Sequence, residues 1–234
     1  EASMVDPSLF DRLLNALPAT SSVLLVGDAN QLPSVGAGSL LKDIIASSAA
    51  KTVELNEIFR QAKESLIITN AHRIIRGEMP ELADRKRDFF FLPAYSPDAV
   101  CRTVGELLEK RLPKAYGYDP KTEIQVLCPS RKGMTGSGNL NVGLQRLLNP
   151  ETENKRQLEY RGGVFREGDK VMQIKNNYDV EYEGADGKPE KGIFNGDIGI
   201  IERVYEKELC LAVLFDDKRV IYPREMLDEL EPAY

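Results

Sequence analysis

Residues 23–28 read Val-Leu-Leu-Val-Gly-Asp, and this apolar run closing on a glycine and a carboxylate constrains the fold more than any other feature of the chain. Four apolar residues without alternation match a strand buried on both faces, as in parallel α/β sheets. Open sheets of that kind hold their ligands at the carboxyl ends of the strands. Gly27 and Asp28 fall at that end, and Gln31 lies just beyond it. A second short apolar stretch, 51–55, leads into Leu55-Asn56-Glu57-Ile58-Phe59-Arg60-Gln61, so that Arg60 offers a fixed positive charge to the same or a facing edge. An amide and a guanidinium on successive strand ends suit phosphate chemistry, in which positioning and charge neutralisation do most of the work. The plainer reading is a solvated glutamine and a surface arginine; two such motifs in order weigh against it.

The remaining pattern extends the α/β reading. Residues 7–17 form a helix with Asp6 as N-cap and Pro7 at its first position. Strands are expected at 23–26, 51–55, 89–92 and 123–128, and helices at 38–46, 65–76, 97–112 and 139–148. Strands alternating with helices of this length imply parallel β-α units. Gly77 stops one helix, and Asn149-Pro150 stops another. After Pro150 the texture changes to short β-rich runs at 170–174, 197–204, 209–215 and 219–222, the spacing of a small antiparallel barrel. Gly184–Pro189 reads as a polar loop, and Asn195-Gly196 as a tight turn.

Composition excludes several classes. Hydrophobic residues make up 42% and charged residues 29%, a globular balance. No apolar run approaches a membrane span, and no signal peptide is evident; a cytoplasmic protein is expected. Cys101, Cys128 and Cys210 are widely spaced in apolar contexts, so they read as reduced core residues rather than a disulfide or metal framework. His72 is the only histidine, which leaves little for a histidine metal site or a serine–histidine triad, and no metal ligands are expected within these residues. The net charge of −6 argues against nucleic acid, yet only charge within a Debye length of about 8–10 Å acts on a strand in a groove. Local basic clusters occur at Arg85–Arg87, at Arg131-Lys132, and at Lys170 with Lys175.

Pro129-Ser130-Arg131-Lys132-Gly133 follows a predicted strand and gathers hydroxyl, guanidinium, ammonium and backbone donors on one turn, as sequence-independent single-strand binding requires. Ser130, Arg131 and Lys132 are thus donors suited to strand phosphates. Asn176 and Tyr178 offer an amide edge and a stacking ring, although Asn-Asn-Tyr-Asp is also turn chemistry.

Gly27-Asp28-Ala29-Asn30-Gln31-Leu32-Pro33-Ser34-Val35 resembles motif III of superfamily-one DNA helicases, and Leu55–Gln61 resembles their motif IV. The wording of both is similar to the RecD-like branch, the exodeoxyribonuclease V alpha subunit and its TraA relatives. Glu1-Ala2-Ser3 resembles the tail of the Walker B box, and Thr69-Asn70-Ala71-His72 resembles motif IVa. Text like that of residues 129–133 borders the DNA groove in this branch, so the resemblance makes Ser130, Arg131 and Lys132 the first candidates for DNA contact and Asn70 and His72 the second. Residues 165–173, 176–179 and 194–199 resemble the SH3-like insertion of RecD-type helicases.

The resemblance implies RecA-like P-loop helicase domains, the end of a first over 1–55 and most of a second over 56–150. An SH3-like β-barrel would cover 151–222, with a return to the second domain over 223–234. It implies that Glu1 activates water, that Gln31 links the γ-phosphate to the DNA groove, and that Arg60 contacts the γ-phosphate. Gly27 and Asp28 would line the nucleotide site, with ATP and Mg²⁺ as the whole protein's cofactors. Partners implied are single-stranded DNA, single–double strand junctions and possible nuclease or helicase subunits, in recombination and repair, with 5′-to-3′ movement. No Gly-x-x-x-x-Gly-Lys-Ser/Thr loop occurs, since Gly133–Gly138 lacks the Gly-Lys-Ser/Thr ending, so an internal fragment without ATP hydrolysis of its own is expected. The alternatives are the helicase part of a conjugative relaxase, a non-catalytic DNA- or protein-binding module and, more weakly, an ATPase acting on protein.

Overall fold

The computed structural model describes residues 1–55, 64–83, 88–183 and 189–234. Arg60 and the Arg85–Arg87 cluster lie outside the described residues. The chain divides into two compact units, Glu1–Leu92 and Pro93–Tyr234.

In the first unit, helix α1 (Pro7–Ala16) begins as its sequence requires, with the Asp6 carboxylate accepting from Leu9 N at 2.8 Å. Helices α2 (Leu40–Ser47) and α3 (Leu66–Ile75) follow. The expected strands at 23–26, 51–55 and 89–92 take no ladder among the described residues, and no parallel pair occurs there. A doubly buried strand needs a hydrogen-bonded neighbour and helices on both faces. Here Leu24 and Leu55 stand almost fully exposed. Among the described residues, the backbone bond that reaches the 23–26 run joins Ala2 N to Val26 O, at 2.8 Å.

Asp88 caps α3 from outside the helix. Its carboxylate accepts from Ser65 Oγ and from the amides of Leu66 and Ile67, donors that a helix N-terminus otherwise leaves unpaired. The Ser65 hydroxyl, with these amides, holds the Asp88 carboxyl below its usual range. A carboxyl whose folded value is lowered stabilises the fold above its unfolded value and loses that contribution as pH falls through the folded one. Asp88→Asn is therefore expected to speed hydrogen exchange at the Leu66 and Ile67 amides near neutral pH. The difference from the wild type should vanish on acidification; a difference that persists in acid would show that the cap does not depend on the charge.

In the second unit, helix α4 (Pro97–Glu106) passes through a π-helical turn, Leu107–Arg111, into α5 (Leu112–Tyr116), and α6 spans Ser137–Leu148. The expected strand at 123–128 has no ladder partner among the described residues but keeps strand alternation: Ile124 and Val126 pack on Leu108, Leu144 and Tyr234, while Leu127 faces outward. Lys170 Nζ donates to Ile124 O at 2.8 Å and Gln125 Nε2 to Ala233 O at 3.2 Å, so cross-links replace a sheet.

The β-rich part begins with a hairpin, β1 (Gln157–Tyr160) and β2 (Gly163–Arg166). A seven-stranded sheet follows: β3 (Lys170–Gln173), β4 (Asn177–Glu183), β5 (Pro189–Ile193), β6 (Ile198–Tyr205), β7 (Cys210–Phe215), β8 (Lys218–Tyr222) and β9 (Leu230–Pro232). Its order is β5-β4-β8-β7-β6-β3-β9, and every pairing is antiparallel. Inward residues of β3 to β8 converge on one apolar core, among them Val171, Ile193, Ile201, Val204, Val213 and Tyr222, which the hairpin joins through Leu158 and Phe165. This is the barrel expected from the spacing, with β3, β6, β7 and β8 close to their predicted spans.

Candidate nucleotide and nucleic-acid sites

The start of the chain and the 27–38 loop meet within the first unit. A Cβ on Gly27 would lie 3.0 Å from Ser3 N and 3.1 Å from Ala2 N, and one on Gly36 would lie 2.9 Å from Asp6 Cβ. These glycines let the loop lie directly on residues 1–7. Glu1, Asp28 and Gln31 are all exposed around this junction. Asp28 shapes the turn, its side chain accepting from Asn30 N at 2.8 Å and its carbonyl from Gln31 N at 3.3 Å. Two hydroxyls of the same segments, Ser3 Oγ and Ser34 Oγ, are buried without a hydrogen-bond partner among the described residues. Carboxylates and hydroxyls are hard oxygen ligands of the kind Mg²⁺ takes, and an amide suits a phosphate oxygen. Among the described residues, however, the carboxylates are not gathered into a group of three or more metal-ligating side chains.

The 130–138 loop of the second unit folds back on itself. Ser130 Oγ accepts from Lys132 N at 3.2 Å, and the carbonyls of Ser130 and Arg131 accept from Ser137 N and Gly138 N. The loop itself thus takes up the first two amides of α6, those of Ser137 and Gly138. A Cβ on Gly136 would sit 2.4 Å from Lys132 O, so that position requires glycine. The polar side chains of Ser130, Arg131 and Lys132 remain on an exposed turn. Arg131 pairs with Glu231 of β9, a partner with no signal in the sequence because the two residues lie far apart along the chain.

Asn70 departs from its expected role. It is buried, its Nδ2 donating to Glu81 O at 3.0 Å and its Oδ1 accepting from Glu81 N at 2.7 Å. An amide committed at both ends has nothing to offer a DNA strand; it ties α3 to the 78–83 segment. His72 is half-buried on the same helix.

On the barrel, Asn176 Oδ1 accepts from Asn195 N at 2.9 Å, and Tyr178 is 66% exposed. Beneath them, Glu229 Oε2 accepts from Gln173 Nε2 and Asn177 Nδ2, each at 2.9 Å, and Glu229 O accepts from Ile174 N. Tyr222 donates to Gln173 Oε1 at 2.8 Å, and burial pushes its hydroxyl well up, so it stays a donor. The loop carrying Asn176 and Tyr178 is thus pinned by a buried polar network.

A protein-family model described as an ATP-dependent RecD-like DNA helicase SH3 domain matches residues 140–215, and one described as an AAA domain matches residues 1–90. The ATP-dependent RecD2 DNA helicase of Deinococcus radiodurans is 38% identical over the whole of this chain. The chain matches a segment of the RecD-like DNA helicases. The RecBCD enzyme subunit RecD of Mycolicibacterium smegmatis is 25% identical over 86% of the chain, and the uncharacterized protein MJ1519 of Methanocaldococcus jannaschii is 25% identical over 85%. The chain spans 29%, 35% and 21% of these three relatives, in that order. The α/β class with a P-loop-type domain and a RecD-type SH3 domain therefore stands, although the described strands are antiparallel. No described helix is long and apolar enough to cross a membrane.

Proposed function

We propose that this chain is the part of an ATP-driven helicase that couples one wall of the nucleotide site to a single-strand groove, moving 5′ to 3′ in recombination and repair in the cytoplasm. The observation that chiefly supports this is the backbone junction of residues 1–3 with Val26 and Gly27, next to the Asp28–Gln31 turn. ATP supplies the phosphoanhydride bond whose cleavage drives movement, with Mg²⁺ as counter-charge. Glu1 takes a proton from the attacking water, Gln31 hydrogen-bonds the terminal phosphate, and Arg60 neutralises its charge. Gly27 and Asp28 line the same wall.

On this reading Ser130, Arg131 and Lys132 hold strand phosphates, Asn176 and Tyr178 contact bases, and His72 stays a secondary candidate. Partners are single-stranded DNA, strand junctions and, in an assembly, nuclease or helicase subunits. The 234 residues by themselves are proposed not to turn over ATP, since they contain no lysine-bearing phosphate loop.

The test is binding of fluorescent oligo(dT) with a parallel phosphate-release assay. Affinity is expected to fall steadily as salt rises, with no DNA-stimulated phosphate release. Binding indifferent to salt would remove the groove, and phosphate release would overturn the division of labour.

A further inference from the structure

Tyr178 has an aromatic neighbour on the barrel surface. Phe194, 38% exposed, meets it edge to face, with ring centroids 5.5 Å apart and planes at 69°. Leaving two aromatic rings in water forgoes burial that each would otherwise contribute, so their shared exposure calls for a reason.

The backbone is arranged around the pair. Asn177 pairs with Ile193 and Glu181 with Lys191, so residues 178–180 of β4 oppose Gly192 alone. Such a bulge re-aims a side chain, here that of Tyr178. A Cβ on Gly192 would lie 3.0 Å from Phe194 Cζ, so glycine leaves the space the second ring occupies. Phe194 opens a turn closed by Asp197 N to Phe194 O at 3.0 Å, with Gly196 at φ +98°, and Phe194 N donates to Asp197 Oδ2 at 2.9 Å. The Asn195–Asn176 bond ties that turn to the Tyr178 loop.

We propose that Phe194 joins Tyr178 as a second base-stacking ring, and that the angle between the rings selects strands that unstack readily, pyrimidine runs above adenine runs. This rests on the single-strand reading above. In an edge-to-face pair each ring keeps a face that the other does not cover. Successive bases in a duplex lie parallel, so two bases seated on rings 69° apart must splay. A thymine run splays at little cost, whereas an adenine run must first give up its own stacking; preferences of this origin need no base-edge hydrogen bonds.

The test compares oligo(dT) and oligo(dA) binding by the 234-residue chain, its Phe194→Leu variant and its Tyr178→Leu variant. The wild type should prefer oligo(dT). Phe194→Leu keeps apolar bulk without the ring, and should weaken oligo(dT) binding about tenfold and bring the two affinities together. Oligo(dT) with a single abasic site walked along the wild-type complex should show two adjacent sensitive positions, which needs no variant to fold. One sensitive position, or a Phe194→Leu variant that matches the wild type on both strands while Tyr178→Leu loses affinity, overturns the second ring and leaves the parent reading standing. No salt-dependent binding by the wild type overturns both.

Discussion

Asp169→Asn is expected to destabilise the 93–234 unit by about 3 kcal/mol or more, a fall in melting temperature of about 10 °C for a unit of this size. Asp169 is completely buried, and four donors converge on it: Asn149 Nδ2 at 2.6 Å and Tyr234 OH at 2.7 Å on Oδ1, Gln145 Nε2 at 2.6 Å and Arg166 N at 2.7 Å on Oδ2. These donors come from α6, from the residue that follows it, from β2 and from the chain end. One carboxylate therefore fastens the barrel to the helix before it and to the tail after it. Burial and the neighbouring carboxylate push the Tyr234 hydroxyl well up, which keeps it a donor. Asparagine presents an NH₂ where two acceptor positions stood, leaving buried donors unpaired. Thermal unfolding followed by circular dichroism checks this, and a melting curve matching the wild type would mean that the network relaxes around the amide.

The second large effect is on DNA. Replacing Arg131 and Lys132 together by alanine is expected to weaken oligo(dT) binding roughly tenfold or more, and to reduce the slope of log affinity against log salt by about 0.7 for each phosphate no longer neutralised. The Arg131–Glu231 pair sharpens this test. Arg131's side chain is 72% exposed, and an exposed ion pair contributes about 1 kcal/mol or less, so a strand phosphate displaces Glu231 readily. Glu231→Gln should accordingly tighten binding, and should do nothing once Arg131 is alanine. Equal tightening in both backgrounds would show that Glu231 acts through the general field rather than through Arg131.

Much of the fold is legible in the residues because it rests on short-range rules. Asp6-Pro7 announces α1, Gly77 ends α3 with φ at +72°, and apolar β-rich runs announce β3, β6, β7 and β8. The strands 157–166, 177–183, 189–193 and 230–232 carry no such signal. Their sequences are polar or glycine-broken, and their ladders are set by neighbours distant in the chain. The 23–26 run reads as a buried strand on local pattern, but pattern supplies no hydrogen-bonding neighbour, and among the described residues it has only Ala2.

For the proposed site, residue chemistry offers Gln31, Arg131, Lys132 and Tyr178 as candidates, because amides, cations and exposed rings suit phosphates and bases wherever they sit. Burial decides otherwise for Asn70: a helix-surface amide and a core amide look identical until Glu81 closes over one of them. Phe194 looks like part of a tight turn, since only the bulge opposite Gly192 brings its ring to Tyr178. Asp169 and Glu231 carry no signal, since a carboxylate means nothing until its donors arrive. The family, the chemistry on offer and the local punctuation of helices and turns are all written in residue order alone. Which polar groups are spent inside the fold, and which face a ligand, is settled only once the chain has folded, because hydrogen-bond partners and burial are properties of segments that meet in space.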